Sequence, residues 1–371
     1  MLCAERMQRV QIEQVSARQV DLPLRVPYEV SLAKIERFDP FVIEVRGTDG
    51  EHGFGEALII PGYTTETVEG SWRLCEILGS RVVGMDAEAA KAVARSHVHD
   101  GVGAASAMLA ALDMLTGHPL LATRAAVAVP LLAPVQSSEP AALAEEIERT
   151  LAQGFRTLKV KVGFDWQRDL DHVGRIQGLV GDRATLRLDA NQGFDSVDGI
   201  AFASRLAPQG IELFEQPCPL DDWRANAAVA VRSAVPVMLD ESIYDLGDID
   251  RAGAMDGVGF VKLKLKKMGS VDMLIEGLER IRANGLTPVL GDGVSLEIGC
   301  WAEACVAAHA IDNAGEMNGF LKTRERVFEN PLPFSNGAIR IPAGYRPRLD
   351  TDLVERCTLR KATFGKQTLR A

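Results

Sequence analysis

The sequence predicts an α/β protein: a parallel barrel of alternating strands and helices, with a smaller α+β domain before it and a strand-like segment after it. Three observations carry this. Residues 1–125 alternate as antiparallel strands do and then turn helical. From residue 126 to about 330, short apolar runs recur at the spacing of a strand plus a helix. Residues 331–371 return to a strand-like pattern.

Taken in order, VQIEQVSARQVDLPL from Val10 and PFVIEVRGTDGEHGFGEA from Pro40 alternate apolar and polar residues, with Thr48-Asp49-Gly50 as a hairpin turn. Between about Thr65 and Thr116 the pattern is helical, and GAASAMLAALDMLTG reads as a helix whose small residues permit close packing. Eight runs then follow: VAVPLLAPV from Val127, RTLKVKVG from Arg156, TLRLDAN from Thr185, IELFEQP from Ile211, VPVMLDE from Val235, GFVKLKL from Gly259, TPVLGD from Thr287 and a weaker GEMNG from Gly315. Eight such units close a parallel barrel. The tail, PLPFSNGAIRIPAG and beyond, is too long for a mere terminus and is expected to rejoin the first domain.

Composition narrows the function. The 371 residues carry a net charge of -10, which repels phosphate backbones and anionic headgroups, so neither nucleic acid nor membrane is expected as a partner. The start, MLCAERMQRVQIEQ, has charges where a signal peptide needs its apolar centre, and a cytoplasmic location is expected. The 6 cysteines form no C-x-x-C pair, and His97 and His99 have no third ligand near them, so zinc and disulfides are not signalled.

Chemistry gathers at the ends of the runs. Asp189 ends TLRLD, Glu215 ends IELFE and Asp240 ends VPVMLD, so three acids on successive strands converge at the C-terminal rim, where such barrels build their sites. One such acid alone would be read as the cap of the following helix. Three at the same depth repel one another unless a cation sits among them, and an all-oxygen set favours Mg²⁺, with Mn²⁺ fitting the same cage. Lys159 and Lys161 share one face of their strand, as do Lys262 and Lys264 of theirs, with Val160, Val162, Leu263 and Leu265 on the other faces. Buried beside positive charge, such lysines are expected to have pKa values lowered from about 10.4, which frees an amine to act as a base. Lys266 and Lys267 are expected at a solvated helix start. A cation facing two lysines across a barrel mouth suits removal of the proton α to a carboxylate, because the developing enolate needs electrostatic support.

The chain resembles the enolase superfamily, in its muconate lactonising enzyme subgroup of the mandelate racemase and muconate lactonising enzyme family, through TLKVKVG, LDANQGF, FEQP, LDES and KLKLKKMG in that order. The resemblance covers nearly the whole chain. It implies a modified TIM barrel, (β/α)7β, over residues 126–330, under an N-terminal capping domain, residues 1–125, completed by the C-terminal segment, residues 331–371. It implies Asp189, Glu215 and Asp240 as Mg²⁺ ligands and Lys161 and Lys264 as the acid and base. Lys159 is implied to contact the substrate carboxylate or tune Lys161. Glu316, Asn191 and Tyr28 are implied as further substrate contacts, Gln216 as their support, and the loops at 24–34 and 58–65 as a lid. A homo-oligomer, dimer or octamer, is expected on the same ground.

One enolate permits several outcomes. The expectation is an Mg²⁺-dependent isomerase acting on a small carboxylate, either a cycloisomerase like muconate cycloisomerase or a racemase or epimerase. The alternatives are a dehydratase or epimerase of a proline or amino-acid derivative, whose cationic nitrogen Glu316 and the polar loop residues Tyr28, Glu29 and Lys34 would meet, and a barrel that binds a ligand without turnover.

Overall fold

The computed structural model describes residues 10–30, 33–60 and 66–365, with backbone alone at 28–30, 33 and 34. The chain opens with five strands, β1 (Ile12–Val20), β2 (Leu22–Val30), β3 (Ala33–Phe38), β4 (Phe41–Gly47) and β5 (His52–Ala57). β1 and β4 pair antiparallel with Val15 opposite Val45, and Thr48-Asp49-Gly50 turns the chain from β4 into β5, Gly50 at φ 81°. β2 and β3 form a separate ribbon. Three helices follow: α1 (Val68–Val82), α2 (Ala87–Ser96) and α3 (Val102–Thr116). Thr67 and Asp86 cap the first two, accepting from Gly70 N at 3.1 Å and Ala89 N at 2.9 Å. α3 is apolar all round and buried all round. It lies directly on β5, where a Cβ at Gly53 or Gly55 would stand 1.9 Å from the carbonyl oxygen of Ala111 or Ala107. Glycine at those two positions is what lets helix and strand touch.

The barrel begins with β6 (Val127–Pro130), β7 (Ala133–Val135) and α4 (Pro140–Ala152). It continues through β8 (Thr157–Lys161), α5 (Trp166–Val180), β9 (Thr185–Asp189), α6 (Ser196–Ala203), β10 (Ile211–Glu215) and α7 (Trp223–Arg232). β11 (Val237–Leu239), α8 (Leu246–Gly253), β12 (Val258–Leu263), α9 (Leu265–Met268), α10 (Val271–Ala283), β13 (Thr287–Leu290) and α11 (Glu297–Ala310) complete it. The parallel sheet runs β7 to β13 in sequence order. The run from Val127, expected as one strand, is two: β6 leaves the barrel to pair antiparallel with a later strand, and only β7 joins the parallel sheet.

The eighth run closes the ring with a minimal contact. Gly315 N donates to Pro130 O (2.9 Å), Leu132 N to Gly315 O (3.0 Å) and Glu316 N to Leu290 O (3.0 Å), which joins the last strand of the sheet to the first. Gly291 makes room, at φ 135° with a would-be Cβ 2.5 Å from Glu316 N. Below, the buried Arg187 ties Glu212 (2.8 Å) to the carbonyl of Ala314 (2.8 Å). The architecture is therefore (β/α)7β, with a strand-rich cap.

The tail divides. β14 (Phe334–Ser335) and β15 (Ala338–Ile341), joined by Asn336-Gly337 with both residues at positive φ, form a hairpin whose second strand pairs with β6. After α12 (Thr351–Arg356), β16 (Thr358–Gly365) pairs antiparallel with β1, giving the cap sheet the order β16-β1-β4-β5. Among the described residues, this last strand is the part of the tail that pairs with the N-terminal sheet. Among the described residues, no helix is long and apolar enough to cross a membrane.

Side chains fill the barrel in layers. Leu213, Met238 and Val289 pack with Phe260 as an apolar floor. Two residues further along the same strands stand Glu215, Asp240, Gly291 and Lys262, which strand alternation aims the same way. The floor supports a polar rim.

Candidate active site

The four loops that follow β8 to β11 have helix caps of their own. Asp165, Asp195, Asp222 and Asp245 accept from the first turns of α5, α6, α7 and α8. Asp189, Glu215 and Asp240 therefore cap nothing and face inward, each at most 1% exposed.

Lysines stand between them. Lys159 Nζ lies 2.8 Å from Asp189 Oδ2 and 2.8 Å from Glu215 Oε2. Lys262 Nζ lies 3.1 Å from Glu215 Oε1 and 3.3 Å from Asp240 Oδ2. Glu316, from the eighth strand, accepts from Lys159 at 3.0 and 2.8 Å and from Lys262. Above this cluster, Lys161 Nζ donates to Asp189 Oδ2 (2.6 Å) and to Asn191 Oδ1, and Lys264 Nζ donates to Asp240 Oδ2 (2.7 Å). Lys161 ends β8 and Lys264 directly follows β12, so they enter the mouth from different sides of the ring, each held by one of the two outer acids of the trio.

The charges settle one another. Burial opposes the charge of Asp189, and Lys159, Lys161 and Lys262 overcome it, holding the carboxyl at about 2. Asp240 and Glu316 are likewise held well below the usual range, against burial, by Lys264 and Lys262 in the first case and Lys159 and Lys262 in the second. Glu215 goes the other way, raised to about 7 by burial and by Asp189. Its Oε2 is buried with the Lys159 ammonium 2.8 Å away. Burial pulls Lys159, Lys262 and Lys264 down, but the acids outweigh it and all three pKa values are raised. The expected lowering thus fails for these three, because each ammonium meets carboxylates before it meets apolar surface.

Lys267 shows the lowering instead, to about 8 by burial. It was expected in solvent, yet it is buried, donating to the backbone carbonyl of Asp240 and lying 4.3 Å over the Tyr244 ring. Lys266 also turns inward, 2.7 Å from Asp292 Oδ2. The cause is α9, a single turn that winds the chain straight after Lys264, so a run of lysines that reads as a solvated helix start is folded under the cap. Asp292 and Glu241 are members of the cluster to which sequence reasoning gave no role, whereas Lys262, read as pointing inward, does so. The available signal was their position, each within a few residues of a strand end.

Asn191 and Gln216 hold the loops. Both sit at positive φ, 41° and 37°, a strained conformation for residues other than glycine. Asn191 Nδ2 donates to Glu241 (2.8 Å) while its oxygen receives Lys161. Gln216 Oε1 accepts from Asp240 N (3.0 Å) and Ser242 N (3.2 Å), fixing the turn that carries Asp240. The side chain of Tyr28 and residues 31–32 and 61–65 of the two expected lid loops lie outside the described residues.

The chemistry of the donor set fits a hard divalent cation: carboxylate oxygens alone, from three adjacent strand ends. As the side chains stand, ammonium groups bridge the acids, and among the described residues no three acid, imidazole or thiol groups converge closely enough to hold a metal ion.

A barrel with acids and lysines ringed at its strand ends, under a strand-rich cap, is an enzyme scaffold built for proton transfer at a charged mouth. The chain belongs to the family of enolase C-terminal domain-like proteins, whose model matches residues 142–347. It is 27% identical to the L-Ala-D/L-Glu epimerase of Bacillus subtilis over 90% of this chain and 95% of that one. It is 28% identical to muconate cycloisomerase 1 of Pseudomonas putida over 91% of this chain and 95% of that one. The solved muconate lactonizing enzyme from Pseudomonas putida superposes with a TM-score of 0.85 at 26% identity, covering 94% of this chain and 99% of its own.

Proposed function

We propose that this chain is an Mg²⁺-dependent isomerase that removes and returns the α-proton of a small carboxylate through an enolate, as a racemase, epimerase or cycloisomerase. The observation that carries the reading is the pair Lys161 and Lys264, at the end of β8 and just past β12, each hydrogen-bonded to one of the outer two acids of a buried trio. Relatives named as epimerases and as muconate cycloisomerase support an isomerase. We assign Asp189, Glu215 and Asp240 as the ligands of Mg²⁺ or Mn²⁺; the cation, when bound, supplies Lewis-acid support for the charge that develops on the substrate carboxylate.

In this reading Lys161 and Lys264 hold and move the proton from the two sides of the mouth. Asn191 positions Lys161 by receiving it while anchored to Glu241. Gln216 keeps Asp240 at its depth. The cap comprises residues 1–125 and is completed by residues 331–371, the barrel comprises residues 126–330, and the cap excludes water from the rim, with Tyr28 as a substrate contact. We further propose a cytoplasmic homo-oligomer, dimer or octamer, with no nucleic-acid or membrane partner.

The test is incubation with Mg²⁺ in D₂O against cis,cis-muconate, N-acyl amino acids, hydroxy and sugar acids, proline derivatives and dipeptides, followed by NMR and mass spectrometry. Deuterium at an α-carbon is the expected result, and its stereochemistry separates epimerisation from β-elimination or ring closure. Tight Mg²⁺ binding with no exchange on any acid would return the chain to a binding barrel.

A further inference from the structure

Glu316 is the only acid that the eighth strand brings to the mouth, and so it is the group a cationic end of a substrate would meet. Its surroundings argue otherwise. Both of its oxygens are occupied: Lys159 donates to Oε1 and Oε2, and Lys262 donates to Oε2. Neither ammonium can leave easily, since both lysines are 2% exposed and each is also pinned to acids of the trio. A third ammonium stands nearby. A point one bond from Gly293 Cα lies 3.0 Å from Glu316 Oε1 and 3.3 Å from Lys322 Nζ, and Lys322 is anchored there by the carbonyl of Gly293 (2.5 Å).

The remaining acids of the mouth are no more available. Asp292 accepts from Ser295 (3.0 Å) and pairs with Lys266 (2.7 Å). Glu241 is wholly enclosed beneath Asn191. Lys161, Lys264 and Lys266 thus already hold counter-ions of their own, and Lys322 is held by the backbone carbonyl of Gly293. A further cation brought to Glu316 would find both of its oxygens already engaged by Lys159 and Lys262, with the Lys322 ammonium beside them, and would have to displace an ammonium that is also held by the acid trio.

We propose that this enzyme selects acids whose end facing the eighth strand carries acceptors, a hydroxyl, an acyl oxygen or a second carboxylate, and no ammonium, with Lys262 and Lys322 as the residues that exclude one. Lys262 acts by saturating Glu316, and Lys322 by standing beside it. The inference rests on the proton-transfer reading above and narrows its substrate class.

The test uses one pair of compounds that differ only in that charge, L-alanyl-L-glutamate and its N-acetyl derivative, with the full chain and Mg²⁺. In D₂O, exchange at the glutamate α-carbon is expected at least tenfold faster with the acetylated compound. Calorimetric titration of the same two compounds is expected to show the same preference in binding. Lys262→Met, which keeps the stem and removes the charge, is expected to shift that binding ratio at least tenfold toward the free amine. Lys322→Gln is expected to shift it in the same direction without disturbing the buried cluster, and it serves if Lys262→Met does not fold. A wild-type preference for the free amine, or a ratio unmoved in the folded variants, overturns the inference and leaves the proton-transfer reading intact. Silence of every acid in the exchange experiment overturns that reading, while the binding ratio still decides this one.

Discussion

Leu213, Met238, Phe260 and Val289 share strands with Glu215, Asp240, Lys262 and Gly291, two residues on, yet the two layers are stabilised by different means. The floor needs only to be apolar and the right size; each large side chain there contributes about 1.5–3 kcal/mol by leaving water. The rim is buried as deeply, and its groups are tolerable only in combination, since Lys159 and Lys262 each touch three acids and each acid touches one or more ammoniums. The floor is a local sum. The rim is a network, in which removing one member exposes several others.

That contrast gives paired expectations. Replacing Lys161 by Ala should cost the most in chemistry: α-proton exchange should fall about 10²–10⁴-fold, the usual contribution of a positioned base, while Mg²⁺ affinity by calorimetry persists. Full activity in this variant would remove Lys161 from its assigned role. Asp240→Asn tests the network. It leaves Lys262, Lys264 and Lys267 short of a counter-ion, so urea denaturation at pH 7 should show a loss of about 3–5 kcal/mol, as for other broken buried pairs. Because the folded-state pKa of Asp240 is depressed, its contribution is complete above the unfolded value of about 3.9 and is lost as pH falls, so the deficit should shrink in acid. A deficit independent of pH would mean that packing, not charge, is what Asp240 supplies.

Leu213→Ala is the converse experiment on the floor. A cavity under the rim should lower stability by about 2–5 kcal/mol, with no dependence on pH or salt, and leave exchange per folded molecule within a few fold. If exchange falls as far as in the Lys161 variant, the two layers are mechanically coupled and the distinction drawn between them is wrong.

The sequence made most of the fold readable because barrel strands and helices have different periods, and the period alone separates Thr185–Asp189 from Trp166–Val180. It could not divide VAVPLLAPV, since a continuous apolar run looks the same whether it forms one strand or two with a bend at Leu131 and Leu132. In the site, the three acids and the two upper lysines were visible as strand ends in register. Lys262 and Lys267 were not, for opposite reasons. Lys262 was seen to point inward, but pairing with Glu316 is a contact between the sixth and eighth strands that no local pattern encodes. Lys267 was placed outside because lysine-rich turns usually are, and only the docking of the cap over α9 reverses that.

Glu56 sharpens the comparison by showing what a buried acid does with no lysine beside it. It ends near the seam where β5 meets α11, with Oε1 accepting from Gly299 N (3.0 Å) and Oε2 buried without a partner. Burial raises its carboxyl to about 8, with Asp292 and Glu303 adding to the effect, whereas the rim acids Asp189 and Asp240, as deeply buried, are lowered. An unfolded glutamate titrates near 4.3, so folding takes up a proton between that value and about 8. The stabilisation this gives is complete below about 4.3 and is lost as pH rises through the folded value. The melting temperature should therefore fall between about pH 4.3 and pH 8 and level off above, and Glu56→Gln, which preserves the bond to Gly299, should flatten that slope and be about 1–2 kcal/mol more stable than the parent at the alkaline end. Glu303, raised to about 7 by burial and by Asp292, titrates in the same window and should leave a smaller slope behind in the variant. If the variant keeps the whole of the parent's slope, Glu56 is ionised in the folded protein, and the seam tolerates a bare carboxylate that the rim accepts only in the company of lysines.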